Sequence, residues 1–256
     1  MRPQARFVSM FAGVVLSTAT MTQAIAADSV SPAITAAVAD AGRPDADKQR
    51  DADRRPAEVI TLAGIKVGDR VADFMPGGGY FTRIFSKIVG RRGKVYAVIP
   101  AESVKSNAKA ADGMNALAAD PNYSNTMVVI TPVNKLEVPE PLDVFWTSLN
   151  YHDLHNKSFG PADMKAFNEA VFRALRPGGI YMIIDHVAEP GHGAKDTEAM
   201  HRIDRATVTT EVTAAGFQVL GESDLLKHEG DDHKGKVFDS NVRGKTDQFV
   251  MRFRKP

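Results

Sequence analysis

The sequence predicts an α/β fold with a mostly parallel sheet, helices on both faces and an antiparallel hairpin at the C-terminal end. Three observations carry this prediction. Short apolar strands alternate with helix-length segments along most of the chain, which is typical of a parallel sheet covered by helices. One strand-to-helix junction contains three consecutive glycines, at positions 77–79. The last two predicted strands have no helix between them, so we expect them to pair antiparallel at the sheet edge.

The composition is that of an ordinary globular protein, with 43% hydrophobic and 25% charged residues among 256. Cysteine is absent, which excludes disulfides, thiolate catalysis and cysteine-ligated metals. Without residues 1–26, Lys+Arg falls from 32 to 30 against 31 Asp+Glu, a net charge of −1. A nearly neutral chain gives no electrostatic reason to expect nucleic acid or an anionic membrane as a partner.

The first 26 residues have the pattern of a secretory signal peptide. Arg2 and Arg6 precede an apolar stretch over 7–21, and Ala24-Ile25-Ala26 resembles a cleavage site. The apolar stretch is short for a membrane span and hydroxyl residues dilute its end. We therefore predict an exported, periplasmic protein with no stable membrane anchor after cleavage.

The mature chain is predicted to contain a lead-in segment or N-terminal helix, residues 27–55, and one domain, residues 56–256. Charges of both signs alternate from Asp45 to Arg55, and we expect them to lie on a solvated helix face. The strands are predicted near Arg70–Met75, Lys94–Ile99, Met127–Thr131, Leu142–Thr147, Gly179–Asp185, Phe217–Ser223 and Gln248–Arg254. The main helices are predicted near Tyr80–Val89, Ala101–Ala118, Pro161–Leu175 and Lys195–Ala215.

The stretch around the three glycines has the layout of a nucleotide-binding turn. The preceding strand carries Asp73, and apolar residues recur at helical spacing after the glycines. A backbone without Cβ atoms can turn tightly and approach a ligand, while the helix N-terminus offers free N–H groups. The alternative is a structural turn that binds nothing. We favour a ligand because three consecutive glycines cost chain entropy.

Four landmarks together resemble the class I S-adenosylmethionine-dependent methyltransferase family, which has a Rossmann-like fold. They are the loop Asp73-Phe-Met-Pro-Gly77-Gly-Gly79, the fourth strand with the segment after it (Leu142–His155), the turn Leu175-Arg-Pro-Gly-Gly179 and the Ala214-Ala-Gly-Phe217 before the sixth strand. They cover about residues 56–256. The motifs P-G-G-G-Y, N-Y-H-D-L-H and R-G-K-T-D are most similar to those of a group of predicted exported methyltransferases.

The resemblance implies a seven-stranded sheet and S-adenosylmethionine as the cofactor. It implies that the cofactor is held by Asp73, Gly77, Gly78, Gly79, Tyr80, Glu102, Asn150 and Tyr151. Two positions depart from the family pattern. Met75 stands where the family has its first glycine, and Ile99 stands where an acid grips the ribose hydroxyls. Glu102, three residues further on, is the candidate to replace that acid.

The histidines lie in the half of the chain where this fold family builds its substrate face. All seven follow Tyr151. His152 and His155 follow the fourth strand and Asp185 and His186 end the fifth, so we expect all four at one edge of the sheet, as catalytic residues. We predict that His152 or His155 is the base that takes the acceptor's proton, and that Asn150 and Tyr151 line the site.

A metal site is the alternative use of these strand-end residues, together with His192, because they offer nitrogen and oxygen donors. No H-E-x-x-H motif or other tight ligand spacing occurs, so we predict no metal. His201 and Asp204 are three residues apart and are expected to share one face of the helix after the fifth strand, with Arg205.

The predicted function is S-adenosylmethionine-dependent methyl transfer to a small molecule in the periplasm. The polar segment 228–247 is long for a hairpin loop, so it is either mobile and solvated or folded over the site. In the second case Arg243 and Lys245 would hold an anionic substrate. The alternative function is a non-catalytic binding protein that keeps the fold and has lost or altered cofactor recognition, as Ile99 suggests.

A dinucleotide-binding Rossmann domain is the nearest competing fold. It requires G-x-G-x-x-G, and Thr82 occupies the position of the third glycine. It would also rarely end in an antiparallel hairpin. The sequence leaves the oligomeric state open.

Overall fold

The computed structural model describes residues 29–157 and 162–256, and a seven-stranded sheet lies at its centre. The strands are β1 (Arg70–Phe74), β2 (Lys94–Pro100), β3 (Thr126–Thr131), β4 (Leu142–Ser148), β5 (Leu175–His186), β6 (Gln218–Ser223) and β7 (Gln248–Arg254). The α-helices are α1 (Pro32–Val38), α2 (Asp45–Lys48), α3 (Asp51–Arg54), α4 (Pro56–Ala63), α5 (Tyr80–Val89), α6 (Ala101–Ser106), α7 (Asp112–Ala119), α8 (Met164–Ala174), α9 (Thr197–Met200) and α10 (Arg205–Ala214). A 3₁₀ turn spans His152–His155 directly after β4.

The strand order is β3-β2-β1-β4-β5-β7-β6. Strands β1 to β5 run parallel, and β7 pairs antiparallel with both β5 and β6. The chain moves outward from β1 to β3, crosses back to β4 and then builds the other half. This reversal creates a crevice between the carboxyl ends of β1 and β4, where open α/β sheets bind their ligands. The predicted fold class is confirmed, including the antiparallel pairing of the last two strands.

Helices cover both faces of the sheet because its central strands are apolar on both sides. In β4, Phe145 packs into one core with residues of α8 and α10, while Val144 and Trp146 pack into another with residues of α1, α4 and α5. This alternation is the period of two that a strand imposes. The indole ring of Trp146 lies 4.8 Å and 5.1 Å, between ring centroids, from Phe81 and Phe85 of α5. These contacts fix α5, and hence the glycine turn before it, against the sheet.

Two predicted helices are wrong in their continuity. The helix predicted over Ala101–Ala118 is divided into α6 and α7. The helix predicted over Lys195–Ala215 is divided into α9 and α10, because His201 adopts a left-handed conformation with φ of 57°. Asp204 then caps the start of α10, where its carboxylate accepts a hydrogen bond from the N–H of Ala206. His201 and Asp204 therefore do not share a helix face, contrary to the prediction.

The predicted signal peptide, residues 1–26, lies outside the described residues. No helix in the described part of the chain is long and apolar enough to cross a membrane. Residues 29–55 contain the short helices α1, α2 and α3, and Ile34 and Ala37 of α1 are buried in the same core as α4 and α5. The boundary predicted at residues 55 and 56 stays a prediction.

Candidate functional site

The glycine turn lies at the carboxyl end of β1, at the crevice between β1 and β4. Gly77 and Gly79 have positive φ angles of 55° and 81°, which glycine adopts without strain. A Cβ on Gly79 would stand 2.8 Å from side-chain atoms of Met114 and of Leu117, so glycine is needed there for packing against α7. Among the residues that the structure describes, a Cβ on Gly77 or Gly78 would meet nothing within 4 Å. The backbone at these two positions therefore faces open space.

The N-terminus of α5 begins at this turn without a side-chain cap. Asp73 lies behind it, and its Oδ2 accepts a hydrogen bond of 2.6 Å from the hydroxyl of Thr82. Burial raises the pKa of Asp73 to about 7, against the opposing effects of the Thr82 hydrogen bonds and of the Arg54 charge. The predicted acid of β1 is thus in place and holds the first turn of α5. It supports the glycine turn from behind.

Asn150 connects the ends of β4 and β1. Its Nδ2 donates to the carbonyl oxygens of Phe74 and Met75 at 3.0 Å and 3.2 Å, and its Oδ1 accepts from the hydroxyl of Thr147. These bonds hold the strand end from which the glycine turn departs, and they engage both ends of the side-chain amide. Asn150 is therefore a positioning residue beneath the turn.

Tyr151 and His155, two of the predicted site residues, lie away from the crevice. The side chain of Tyr151 is fully buried in the core beneath α8 and α10, and its hydroxyl donates to Glu211 at 2.7 Å and accepts from Asn168 at 2.9 Å. His155 packs on the same side, with its Nε2 3.3 Å from a carboxylate oxygen of Glu211. The 3₁₀ turn after β4 sends these two side chains to the opposite side from His152. They do not line the site.

His152 and Asp185 form a buried pair at the ends of β4 and β5. The ring Nδ1 of His152 lies 2.7 Å from Asp185 Oδ1, and its backbone N–H donates to Asp185 Oδ2 at 2.9 Å. Burial acts to lower the pKa of His152, but the carboxylates of Asp185 and Asp153 outweigh it and raise the pKa of His152 to about 10. A general base must be unprotonated at the working pH. His152 is protonated at neutral pH, which disfavours the predicted role.

His186 is close to His152 but has the opposite electrostatic character. Burial lowers its pKa to about 4, with support from the positive charges of His152 and Arg202 and against the effect of Asp185. Its Nδ1 lies 2.7 Å from the hydroxyl of Thr246. His186 is thus neutral at physiological pH and joins the end of β5 to the segment before β7.

Ile99 and Glu102 lie at the neighbouring exit, that of β2. Ile99 is buried in an apolar cluster with residues of α7. The carboxylate of Glu102 accepts from the N–H of Val133, at 3.2 Å and 3.3 Å for its two oxygens, and so joins the exits of β2 and β3. The structure therefore places Glu102 at the carboxyl end of the parallel strands, as predicted. Its carboxylate, however, already accepts a hydrogen bond from the N–H of Val133.

The N-terminal segment, residues 43–55, packs over the glycine turn. The guanidinium groups of Arg43, Arg50 and Arg54 lie 5.3 Å, 5.5 Å and 4.7 Å from the ring centroid of Tyr80. The hydroxyl of Tyr80 donates to Asp51 at 2.6 Å. Tyr80, a predicted cofactor residue, is thus buried under this segment. The prediction of a solvated charged face holds in part: Asp45, Arg50, Asp53 and Arg55 are exposed, whereas Asp51 and Arg54 are half-buried against Tyr80.

A pocket of about 570 Å³ opens at the exits of β4 and β5, and we call it the strand-exit pocket. Its walls come from three separate parts of the chain. The lining residues are Arg50, Asp53, Arg54, Leu149, His152, Asp153, His186, His201, Val237, Phe238, Arg243, Gly244, Thr246 and Gln248. This volume is in the range of sites for small organic molecules. His152 and His186 are the predicted site residues that the structure brings into it.

The long loop, residues 224–247, closes one side of the strand-exit pocket. The N–H of Val237 donates to the carbonyl oxygen of Met200 at 3.2 Å, and the ring of Phe238 packs against His201 with 4.8 Å between centroids. The structure agrees with the second of the two predicted alternatives, in which the loop is folded over the site. Arg243 lines the pocket, as that alternative predicted, whereas Lys245 is not among the lining residues.

Sequence reasoning missed Arg50, Arg54 and His201 as pocket residues. Arg54 is flanked by aromatic rings, 4.7 Å from the centroid of Tyr80 and 5.6 Å from that of Phe81. Burial and the neighbouring charge of Arg50 lower the pKa of Arg54 to about 10, which still leaves it cationic at neutral pH. The available signal was the density of arginine just upstream of the glycine motif, although the sequence does not show where that segment folds.

These features define the fold of the class I S-adenosylmethionine-dependent methyltransferases, with a glycine turn after β1 and a C-terminal β6–β7 hairpin. A methyltransferase from Aquifex aeolicus, described as S-adenosylmethionine dependent, superimposes with a TM-score of 0.57 at 22% identity, covering 84% of this chain and 99% of that one. The [4+2]-cyclase SpnF superimposes with a TM-score of 0.57 at 16% identity, covering 87% and 91%. At these identities the similarity establishes the fold.

In sequence, the chain is 25% identical over 194 residues to the ubiquinone/menaquinone biosynthesis C-methyltransferase UbiE of Yersinia pestis (strain Pestoides F), covering 73% of this chain and 72% of that protein. No family model matches the chain.

Proposed function

We propose that this protein transfers a methyl group from S-adenosylmethionine to a small molecule that carries an anionic group. The observation that carries the proposal is the glycine turn. Gly77 and Gly78 face open space at the crevice between β1 and β4, beside the uncapped N-terminus of α5. Free backbone N–H groups and the partial positive charge of a helix N-terminus suit the carboxylate of an amino-acid moiety.

The residues at the crevice fit the methionine end of the cofactor better than its ribose. Gly77 and Gly78 would approach the cofactor through their backbone, while Asp73 and Asn150 hold the turn and the strand end from which it departs. S-adenosylmethionine would supply an electrophilic methyl group. Ile99 offers no acceptor to the ribose hydroxyls, and Glu102 would reach them only by giving up Val133. Loss of one charge-assisted hydrogen bond makes the binding free energy less favourable by about 1.5–3 kcal/mol. We therefore expect S-adenosylmethionine to bind weakly.

The strand-exit pocket is the proposed acceptor site. It adjoins the glycine turn through Arg54, which packs on Phe81, and through Leu149, the residue before Asn150. Arg50, Arg54 and Arg243 contribute three positive charges to its walls, against the two carboxylates of Asp53 and Asp153. Methyl transfer requires an acceptor held in line with the methyl group and shielded from water, and little other chemistry from the protein. The arginines would orient the anionic group, while the aromatic ring of Phe238 and Leu149 cover the apolar part.

The relative from Yersinia pestis supports methyl transfer, since its name describes a C-methyltransferase. The identity of the acceptor does not follow from that name. The rival function is a binding protein that keeps the fold and has lost or altered cofactor recognition. Ile99, buried in an apolar cluster at the β2 exit, favours this rival, and the cyclase SpnF illustrates that proteins of this fold are named for other reactions.

The periplasm is the proposed location. This part of the proposal rests on Arg2, Arg6, the apolar stretch over 7–21 and the Ala24-Ile25-Ala26 cleavage pattern. Mass spectrometry of the N-terminus of the protein from a periplasmic extract would test it. A mature chain that begins at residue 27 is expected, and an intact Met1 in the cytoplasmic fraction would contradict it.

Calorimetric titration of S-adenosylmethionine and S-adenosylhomocysteine into residues 27–256 tests the cofactor. We expect binding in the micromolar range or weaker, and loss of binding by tenfold or more in Gly78→Leu, because the new side chain fills the open space of the turn. Gly113→Leu is the matched control, since a Cβ on Gly113 of α7 would likewise meet no atom of residues 29–157 and 162–256 within 4 Å. If millimolar ligand gives neither heat nor a thermal shift, the methyltransferase proposal is wrong. The rival function, a binding protein without cofactor recognition, would then remain.

A further inference from the structure

Three side chains meet at the floor of the strand-exit pocket: His152, Asp153 and His201. His152 Nε2 lies 3.1 Å from His201 Nδ1 and 3.2 Å from Asp153 Oδ1, and the last two atoms are 3.5 Å apart. One donor atom from each residue thus forms a nearly equilateral triangle. Within residues 29–157 and 162–256, these three residues form the one group of potential metal ligands whose donor atoms all lie within 4.8 Å of one another.

The triangle has the dimensions of a metal coordination face. Transition metals lie about 2.0–2.2 Å from imidazole nitrogen and carboxylate oxygen, so two donors on one ion are about 2.8–3.6 Å apart in octahedral or tetrahedral geometry. The three edges of 3.1, 3.2 and 3.5 Å all fall in this range. One hydrogen bond and two ion-pair contacts explain the edges singly, but they do not require one oxygen and two nitrogens to converge on a single point.

The surrounding residues orient the donors. Asp185 lies 2.7 Å from His152 Nδ1, which places the donor proton of the ring there and directs Nε2 at the triangle. Asp185 is itself held, because it also accepts from the N–H groups of His152 and His186. Asn156 donates to Asp153 Oδ1 at 3.0 Å. A carboxylate behind a metal-bound histidine is the usual outer-shell arrangement of metal sites, where it fixes the ring and raises its basicity.

We propose that His152, Asp153 and His201 bind one divalent transition-metal ion, with its remaining coordination positions open to the strand-exit pocket. Two imidazoles and one carboxylate favour Zn²⁺, Co²⁺ or Fe²⁺ over Mg²⁺ and Ca²⁺, which prefer oxygen ligands alone. The open positions accept an oxygen donor of the molecule in the pocket. Binding requires His152 Nε2 to release its proton, so it liberates protons. The site does not depend on the proposed methyl transfer.

Titration of Co²⁺ into untagged, chelator-treated residues 27–256 at pH 8, followed by visible absorption, tests the site without any cofactor. One equivalent is expected to bind and to give d–d bands of nitrogen and oxygen coordination. His201→Ala and Asp153→Ala are each expected to weaken binding at least tenfold, and Zn²⁺ is expected to displace Co²⁺. Asp185→Asn keeps an acceptor for His152 and should weaken binding about 10–100-fold with unchanged stoichiometry.

His192→Ala is the matched control. His192 also lies between two carboxylates, with 2.6 Å from its Nδ1 to Asp196 and 3.5 Å from its Nε2 to Glu189, but it does not line the pocket. This variant is expected to bind Co²⁺ like the unaltered protein. Binding that is lost in His192→Ala and kept in His201→Ala would overturn the proposal. So would the absence of Co²⁺ and Zn²⁺ binding at micromolar concentration in a protein whose thermal unfolding is unchanged.

Discussion

Asp73 is buried at the end of β1, where the hydroxyl of Thr82 donates a hydrogen bond to its carboxylate. Burial raises its pKa from 3.8 to about 7. Between pH 4 and pH 7 the folded protein therefore binds more protons at this residue than the unfolded chain does. The contribution of Asp73 to the free energy of unfolding is complete below pH 4 and is lost as the pH rises through 7.

Asp73→Asn is expected to remove this pH dependence, because the amide has no proton to lose and its oxygen still accepts from Thr82. One pKa unit corresponds to about 1.4 kcal/mol, so the variant should gain about 3 kcal/mol of stability relative to the unaltered protein between pH 4.5 and pH 7.5. Urea unfolding at the two pH values measures the gain. Asp112→Asn, on the exposed surface of α7, is the control. Equal pH dependence in the two variants would contradict a buried, mostly protonated Asp73.

Two carboxylates of the N-terminal segment tie it to α5: Asp47 pairs with Arg83 at 2.9 Å, and Asp51 makes the larger set of bonds. Asp51 accepts hydrogen bonds from Nη2 and Nη1 of Arg43, at 2.7 Å and 2.9 Å, and from the hydroxyl of Tyr80. The side chain of Arg43 is fully buried, whereas that of Asp51 is 26% exposed. These bonds hold the segment over the glycine turn and so place Arg50 and Arg54 at the strand-exit pocket.

Asp51→Ala should destabilise the protein by about 3 kcal/mol, since it leaves the buried cation of Arg43 without its partner. It should also speed tryptic cleavage after Arg50 and Arg54. Thermal unfolding and timed proteolysis measure the two effects. Asp45→Ala removes the exposed pair with Lys48, at 3.5 Å in the same segment, and should change stability by less than about 0.5 kcal/mol. Equal sensitivity of the two variants to trypsin would show that Asp51 does not hold the segment.

At the scale of the whole molecule, the sequence was informative wherever the signal was local. The strand, the glycines and the helical spacing after them adjoin each other, so Asp73 and Gly77–Gly79 could be assigned from the chain alone. The alternation of strands and helices predicted the sheet, and the missing last helix predicted the hairpin. The direction of the His155 side chain, in the 3₁₀ turn after β4, could not be predicted from the sequence. Spacing alone does not determine which side of the sheet it faces.

The rest of the site depends on contacts between distant parts of the chain. A charged helix that covers Tyr80 and one that faces water have the same periodicity, so the position of Arg54 was not predictable. His201 reaches His152 only because the chain leaves the helical conformation at His201 itself. The two histidines are 49 residues apart in sequence, and no spacing rule for metal ligands covers that separation. The pocket is thus a property of the assembled molecule.

The pair of Arg202 and Asp231 joins the long loop to the body of the molecule. Both side chains are almost fully buried, and Asp231 accepts two hydrogen bonds of 2.9 Å from the guanidinium group. Asp231 also accepts from the N–H groups of His233 and Asp247, while Arg202 donates to the carbonyl oxygens of Val187 and Gly235. One ion pair therefore anchors the loop at several points and maintains the wall that carries Arg243.

Asp231→Ala is expected to lower the free energy of unfolding by about 3–5 kcal/mol, because Arg202 would remain as a buried, uncompensated charge. The same variant should show faster amide hydrogen exchange over residues 228–247, since the N–H groups of His233 and Asp247 lose their acceptor when the ion pair is removed. Asp232→Ala is the control, because Asp232 is exposed and its carboxylate accepts from the N–H of Lys234, its near neighbour in the loop. Exchange that increases equally in the two variants would mean that the loop is held elsewhere. Exchange that increases only in Asp231→Ala would identify this pair as the contact that keeps the pocket closed on its loop side.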